Sequence, residues 1–247
     1  MQPRFEILDL VHRSAFSTVE RALDHQSGSV VALKRPLKPS DHWQREALAF
    51  DHIPPHANLI RRLDEGSDER GPFRVLEWIT GPSLDAFHAY EPKARRILRS
   101  ILHGLAAIHD AGFIHGDLSP ANVLLPTEAE AKLIDLGTAT PIAEAMPNLV
   151  GSIHCMAPER FDNAQPSVAS DLYAVGVIAC HLLSGRYPFE GDTTAQIITS
   201  HHRQQRQPLR DQCAITPALG AWINHLLARN PAQRPATATH ALALLTS

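Results

Sequence analysis

Apolar and polar residues alternate along the first part of the chain as they do in β-strands. Three alternating runs follow one another over residues 4–35, with a turn at Gln26-Ser27-Gly28 before the third, and this pattern predicts a three-stranded antiparallel meander. A helix is predicted next, from a cap at Ser40 or Asp41 to Ile53, where two consecutive prolines stop it. The first part of the chain is thus expected to begin with sheet and a single helix.

Two further strands are predicted on either side of a turn at residues 67–71. They cover residues 59–65 and 72–78, and each is rich in apolar residues and bounded by turn-forming ones. The first part of the chain is therefore predicted to be a five-stranded antiparallel sheet with one helix.

The periodicity changes to that of helices after Gly81-Pro82. Ile97, Ile101, Leu105 and Ile108 recur three or four residues apart, which predicts one apolar face of a long helix. The chain is therefore predicted to be of the α+β class. We expect one domain over residues 1–247, with a first lobe at 1–78, a hinge at 79–82 and a second lobe at 83–247. Further helices are predicted over residues 168–184, 193–205, 217–229 and 236–245.

Composition narrows the function classes. The chain has 247 residues with 44% hydrophobic content and a net charge of −3, so it can bury a substantial core and gives no electrostatic reason to expect nucleic acid or an anionic membrane as a partner. Three distant cysteines, Cys155, Cys180 and Cys213, indicate free thiols in a reducing compartment. With no signal pattern and no apolar run long enough to cross a bilayer, we expect a cytoplasmic protein.

One constellation of polar residues carries the candidate chemistry. The run of residues 114–122, Ile-His-Gly-Asp-Leu-Ser-Pro-Ala-Asn, is followed by Asp-Leu-Gly at residues 135–137. Phosphoryl transfer needs a carboxylate that orients the attacking hydroxyl and oxygen ligands that hold Mg²⁺ against the phosphates. Asp117 suits the first task, and Asn122 and Asp135 suit the second.

These two runs resemble the signature of protein kinases, whose catalytic loop reads H-R-D-L-x-x-x-N and whose metal loop reads D-F-G. Gly116 replaces the arginine of the first motif and Leu136 the phenylalanine of the second. The resemblance extends in the right order over nearly the whole chain. It implies a two-lobed kinase fold and the use of ATP with Mg²⁺, with Mn²⁺ as an alternative.

The first lobe contains two more elements of the same resemblance. Residues 31–34, Val-Ala-Leu-Lys, are similar to the strand motif V-A-I-K, which implies that Lys34 binds the nucleotide phosphates and pairs with a helix glutamate, here Glu46. The run from Leu76 to Gly81 resembles the hinge segment, where the backbone at Glu77 and Ile79 would bind the adenine edge.

The second lobe contains the remaining elements. Residues 157–159, Ala-Pro-Glu, match the A-P-E end of the activation segment, and Ser152 is expected beside Asp117. Asp171 matches the aspartate that braces the catalytic loop, and Arg234 the ion-pair partner of Glu159. Small-molecule kinases share the H-G-D loop but usually lack the A-P-E segment.

The chain departs from the family at its phosphate loop, residues 12–19. The motif G-x-G-x-x-G-x-V has no glycine here, because His12, Ser14 and Ser17 take the glycine positions. Glycine lets backbone amides approach phosphate oxygens, so a looser or differently shaped lid is expected. Ser119 also stands where serine/threonine kinases carry a lysine that steadies the γ-phosphate, which predicts slow turnover.

The leading hypothesis is a protein kinase of the bacterial serine/threonine type, which is non-RD because of Gly116 and is therefore not expected to be gated by loop phosphorylation. The alternatives are a pseudokinase that acts as a nucleotide-binding or docking module, and a small-molecule kinase. A protein substrate or regulatory partner protein is expected, whereas the oligomeric state is left open. The candidate residues are Lys34, Asp117 and Asn122 for catalysis, Asn122 and Asp135 for the metal, and Ser14, Ser17, Val19, Ala32, Lys34, Glu46, Glu77 and Ile79 for the nucleotide.

Overall fold

The first part of the chain folds into the predicted antiparallel sheet with one helix. The computed structural model describes residues 3–144, 151–206 and 215–246, so Cys213 and residues 145–150 lie outside it. The strands and helix are β1 (Phe5–Arg13), β2 (Ser17–Asp24), β3 (Ser29–Pro36), α1 (Asp41–His52), β4 (Arg62–Asp68) and β5 (Gly71–Glu77). The sheet order is β1-β2-β3-β5-β4, and all neighbours are antiparallel.

Helices dominate the rest of the described chain. Two short two-stranded ribbons accompany them, Phe113–Ile114 with Thr140–Pro141 and Val123–Thr127 with Glu130–Leu133. The elements are α2 (Glu91–Asp110), β6 (Phe113–Ile114), β7 (Val123–Thr127), β8 (Glu130–Leu133), β9 (Thr140–Pro141), α3 (Pro158–Phe161), α4 (Val168–Ser184), α5 (Thr194–Arg203), α6 (Pro217–Leu226) and α7 (Ala238–Thr246). The α+β class is therefore as predicted, with a sheet and one helix in the first part of the chain and mainly helices after it.

The predicted strand over residues 59–65 was placed too early. The structure begins β4 at Arg62, and Leu59 instead forms an isolated parallel bridge with Leu133 of β8. The backbone N–H of Ile60 also donates to the carbonyl of Leu133 at 2.9 Å. The apolar residues Leu59 and Ile60 therefore pack between the sheet and the helical part, a tertiary use that a strand pattern cannot distinguish from sheet pairing.

Helix α4 is the centre of the helical part. Its residues from Ser170 to Leu183 are all buried, which accounts for the nearly continuous apolar run in the sequence, because a helix surrounded by other elements has no polar face. The Ser167 and Ser170 side chains form a capping box at its start, and Gly185, with φ of 75°, ends it. This cap fixes Asp171 in the first turn, inside the protein.

No helix in the described part of the chain is both long enough and apolar enough to cross a bilayer.

Candidate active site

Lys34 joins the sheet, helix α1 and the metal loop. Its Nζ donates to Oε1 of Glu46 at 2.6 Å and to Oδ1 of Asp135 at 3.0 Å, so the structure brings these three predicted residues together. Burial disfavours the charged ammonium, but the two carboxylates outweigh it and the pKa of Lys34 is raised. Lys34 therefore remains a fixed positive charge at this end of the cleft.

Asp117 is held both at its carboxylate and at its backbone carbonyl. Its Oδ1 accepts a hydrogen bond from the N–H of Ser152 at 2.8 Å, and Nδ2 of Asn122 donates to its carbonyl oxygen at 2.8 Å. Burial raises the pKa of the Asp117 carboxyl, although the Ser152 amide acts in the opposite direction. A carboxylate of raised pKa in a fixed position is suited to accept a proton from a hydroxyl group.

The catalytic loop is attached to α4 through Asp171. Its carboxylate accepts the backbone N–H groups of His115 at 2.8 Å and of Gly116 at 3.1 Å, and Nε2 of His109 lies 2.9 Å away. Gly116 has φ of 81°, and a Cβ there would lie 3.0 Å from the carbonyl oxygen of Thr138. This backbone conformation strongly favours glycine. Asp171 takes the bracing position that the resemblance implied.

The metal loop carries a strained residue. Asp135 has φ of 61°, in the left-handed region that non-glycine residues seldom occupy. Burial alone would raise the pKa of its carboxyl, but the charges of Lys34 and His42 and the hydrogen bond from Lys34 lower it to about 2. Asp135 is therefore ionised, as a cation ligand must be.

The imidazole of His42 covers the metal loop. His42 Nε2 lies 3.6 Å from Oδ1 of Asp135, and the ring occupies the space where a side chain on Gly137 would point, 1.9 Å from an ideal Cβ. The same ring stacks on Phe16 at 4.9 Å between centroids and 4° between planes. Burial lowers the pKa of His42. Phe16 of the phosphate loop thus contacts α1.

The phosphate loop satisfies its own amides. Oγ of Ser14 accepts the backbone N–H groups of Phe16 at 3.1 Å and of Ser17 at 3.0 Å, and the N–H of Ser14 donates to the carbonyl of Ser17 at 2.9 Å. In a glycine-rich loop such amides point at phosphate oxygens. The serine that replaces glycine therefore tightens the turn, which corrects the expectation of a looser lid and agrees with a differently shaped one.

An apolar cluster lies between the sheet and the second lobe. It includes three of the residues predicted for nucleotide binding: Val19, Ala32 and Ile79. The cluster also contains Leu76 of the sheet, Ile60 before β4 and, from the second lobe, Leu124 and Ile134. A flat heteroaromatic ring fits such a sandwich of aliphatic side chains.

Glu77 connects the two lobes as well as lying at the hinge. Its backbone N–H donates to the carbonyl of Arg61 at 3.0 Å, and its Oε1 accepts the N–H of Arg61 and binds Nζ of Lys132 in β8. The N–H of Glu77 is therefore already committed within the protein.

The end of the activation segment is fixed by a bidentate ion pair. Nη1 and Nη2 of Arg234 donate to the two carboxylate oxygens of Glu159 at 2.6 and 2.8 Å. The guanidinium also donates to the carbonyls of Ala169 and Ala228 and lies 4.8 Å from the centre of the Tyr173 ring. This arrangement anchors the segment that contains Ser152. It thereby helps to keep the Ser152 N–H in hydrogen-bond contact with the carboxylate of Asp117.

Comparison with known proteins agrees with this geometry. The family model described as the protein kinase domain matches residues 5–244. The chain belongs to the protein kinase domain family. The kinase domain is 33% identical over 263 residues to serine/threonine-protein kinase pkn3 of Myxococcus xanthus, covering 95% of this chain and 48% of that protein.

Two further relatives give a similar picture. Identity is 32% over 257 residues to serine/threonine-protein kinase PknL of Mycobacterium tuberculosis and 30% over 253 residues to serine/threonine-protein kinases drp72 of Corynebacterium efficiens. The matches cover 96% and 94% of this chain, and 64% and 48% of those proteins. The chain therefore spans only part of the length of the curated relatives that it matches.

The donor atoms of the kinase domain fit a magnesium–nucleotide complex. The carboxylate of Asp135 and the amide oxygen of Asn122 are the hard oxygen ligands that Mg²⁺ prefers, and Nδ2 of Asn122 is already used by the carbonyl of Asp117. Lys34 would supply a cation for phosphate oxygens, and the apolar cluster would supply a surface for a base. The arrangement can thus orient a hydroxyl group beside a bound nucleoside triphosphate.

Some residues at the site were not predicted from the sequence. Arg74 of β5 binds Glu46, His42 of α1 covers the metal loop, and Leu124 and Ile134 line the apolar cluster. Ile134 immediately precedes Asp135, so its position beside the site could have been inferred. Arg74 and His42 gave no such signal, because a lone arginine in a strand and a histidine at a helix start are usually solvated.

Proposed function

We propose that this kinase domain transfers the γ-phosphate of ATP to serine or threonine residues of protein substrates. The observation that supports it is the convergence of Lys34, Asp117, Asn122 and Asp135 in one cleft beneath the apolar cluster. The names of the relatives and the bidentate Glu159–Arg234 pair support a protein rather than a metabolite as acceptor.

Each residue has a separate task in this proposal. Asp117 orients the acceptor hydroxyl and accepts its proton, while Lys34 neutralises phosphate charge from a position fixed by Glu46. Asn122 and Asp135 would hold Mg²⁺, which supplies charge neutralisation at the phosphate oxygens when bound. The apolar cluster and the Glu77 carbonyl would orient adenine, so that most of the catalysis comes from positioning.

We further propose that turnover is slow and is not gated by a phosphate on the activation segment. Ser119 supplies no cation for the γ-phosphate, and the amides of Phe16 and Ser17 in the phosphate loop are already bound by Ser14. Because residue 116 is glycine, the catalytic loop lacks the arginine that a phosphate on the activation segment could neutralise. Thr138 and Thr140 are buried, and the Thr138 hydroxyl donates to the carbonyl of His115.

The test is transfer of radiolabel from γ-labelled ATP in the presence of Mg²⁺. Wild-type protein is compared with Lys34→Met and Asp117→Asn, with the protein itself and a lysate of soluble proteins as acceptors. Label on serine or threonine that disappears in both variants supports the proposal. Label found only on a metabolite would instead favour a small-molecule kinase, and absence of any transfer would refute the catalytic proposal.

A pseudokinase is the second candidate, and the closed phosphate loop favours it. Phe16 stacks on His42, and Nε2 of His42 lies 3.6 Å from Oδ1 of Asp135, so the phosphate loop is held against α1 beside the carboxylate that a metal would need. A thermal-shift titration distinguishes the two functions, because a ligand that binds only the folded state raises the melting temperature with concentration. Stabilisation by Mg²⁺-ATP without turnover would favour a nucleotide-binding module, whereas neither effect would favour a docking module.

A further inference from the structure

A second cation shares the carboxylate that positions Lys34. Oε1 of Glu46 accepts from Nζ of Lys34, and Oε2 accepts from Nη1 of Arg74 at 2.8 Å. Glu46 and Arg74 are almost wholly buried, with 1% and 2% of their surfaces exposed. The carboxylate therefore bridges two strands of the sheet, and each of its oxygens has its own partner.

The sheet itself creates the need for this carboxylate. Lys34 of β3 and Arg74 of β5 are direct cross-strand partners, so their side chains lie on the same face and their like charges repel. Glu46 of α1 is the counter-ion that the two cations share, while Asp135 also pairs with Lys34 at 3.0 Å and Glu65 with Arg74 at 3.6 Å. If α1 moved away, a buried guanidinium would remain beside a buried ammonium without a common counter-ion, which is strongly unfavourable.

Arg74 binds α1 more extensively than Lys34 does. Its Nη2 donates to the carbonyl oxygen of Trp43 at 2.8 Å, and its guanidinium lies 3.6 Å from the centre of the Trp43 ring. Trp43 and Glu46 are three residues apart and so share one face of the helix. Arg74 thus contacts this face through an ion pair, a backbone hydrogen bond and a cation–π contact.

We propose that Arg74 is a positioning residue that keeps α1 docked and the Lys34–Glu46 pair assembled without phosphorylation of the activation segment. This inference rests on the proposed function and adds its mode of regulation. When Lys34 is drawn toward phosphate oxygens, Glu46 remains in place because Arg74 holds its second oxygen. The buried Thr138 and Thr140 and the side-chain-free Gly116 agree with a site that needs no loop phosphate.

The experiment compares Arg74→Met with Arg35→Met. Arg35 is the matched control, since it is also a buried arginine of this sheet, but it pairs with Asp68 and lies over Phe73. Hydrogen exchange is measured over residues 41–52, and kcat and KM are measured with an acceptor protein. Arg74→Met is expected to speed exchange in α1 by about tenfold or more and to lower kcat by a similar factor with little change in KM.

Arg35→Met is expected to leave exchange in α1 unchanged. Arg74→Lys should recover part of kcat, because it keeps the charge opposite Glu46 but loses the planar group on Trp43. Trp43→Leu removes the ring alone and replaces Arg74→Met if that variant does not fold. Phosphatase treatment of wild-type protein should leave kcat unchanged.

Unchanged exchange in α1 of Arg74→Met, or a loss of activity on phosphatase treatment, would overturn the inference. If the wild-type protein transfers no phosphate at all, the proposed function fails, but the exchange comparison still decides whether Arg74 docks α1.

Discussion

The backbone N–H of Ser152 lies 2.8 Å from Oδ1 of Asp117, so the end of the activation segment directly holds the carboxylate of the catalytic loop. Asp171 holds the same loop from α4 through the amides of His115 and Gly116. The position of Asp117 therefore depends on two distant parts of the chain.

Replacement of Asp117 by Asn is expected to abolish most activity without unfolding the protein. Asn keeps an oxygen for the Ser152 amide but cannot accept a proton from the substrate hydroxyl, and such proton transfer contributes about 10²–10⁴-fold in rate. Steady-state kinetics measure the loss, and urea unfolding checks the fold. Asp110→Asn, at the exposed end of α2, is the control and should behave as wild type; equal rates for the two variants would contradict the role of Asp117.

Replacement of Ser14 by Gly is expected to tighten nucleotide binding. The change removes the hydroxyl that occupies the amides of Phe16 and Ser17 and so frees two donors for phosphate oxygens. At about 1 kcal/mol for each hydrogen bond, the Kd for Mg²⁺-ATP should fall by roughly 5- to 30-fold. Calorimetry measures the Kd, and Ser27→Gly, in the turn between β2 and β3, should leave it unaltered. Weaker binding by Ser14→Gly would indicate that the turn itself forms the site.

Replacement of Arg234 by Met is expected to destabilise the kinase domain severely. The variant leaves Glu159 without its bidentate partner, and removal of one member of a buried pair costs about 3–5 kcal/mol. Urea unfolding measures the change in the free energy of unfolding. Arg21→Met breaks an exposed pair with Asp9 and should cost less than about 1 kcal/mol. Similar losses of unfolding free energy in the two variants would show that the Arg234–Glu159 pair stabilises the protein no more than the exposed Arg21–Asp9 pair does.

His201 is expected to make stability fall at acidic pH. Burial lowers the pKa of this histidine from its usual 6.5 to about 3, so the unfolded chain binds a proton in this range and the native protein does not. The stability that neutral His201 contributes is fully present above pH 6.5. It is lost as the pH falls toward 3, by on the order of 3 kcal/mol between pH 7 and pH 4.

His201→Gln tests this prediction, because glutamine does not titrate and can still accept from the Tyr173 hydroxyl, which lies 2.7 Å from Nδ1 of His201. The free energy of unfolding is measured by urea titration across this pH range, with the exposed His240→Gln as control. The first variant should have the flatter pH dependence, and equal slopes for both would refute the assignment.

Local signals in the sequence were sufficient for most elements. The predicted bounds of α4 match the structure because its capping box and terminal glycine are encoded within the segment itself. Helix α1 begins after Ser40, one of the two predicted caps. Strand β4 was misplaced, because Leu59 is apolar for packing against Leu133 rather than for pairing in the sheet. The lobe boundaries at residues 78 and 83 stay a prediction.

The sequence by itself determined the class of fold and the order of the elements, since these depend on short-range periodicity and on motifs of fixed spacing. The catalytic and metal-binding roles that it indicates for Lys34, Asp117, Asn122 and Asp135 stay predictions. Only the tertiary structure decided which distant groups meet around the site. Arg74 shares Glu46 with Lys34, and Phe16 reaches His42, in each case because strand pairing or helix docking brings together residues that are far apart in the chain. Such contacts depend on long-range geometry, and no local pattern encodes them.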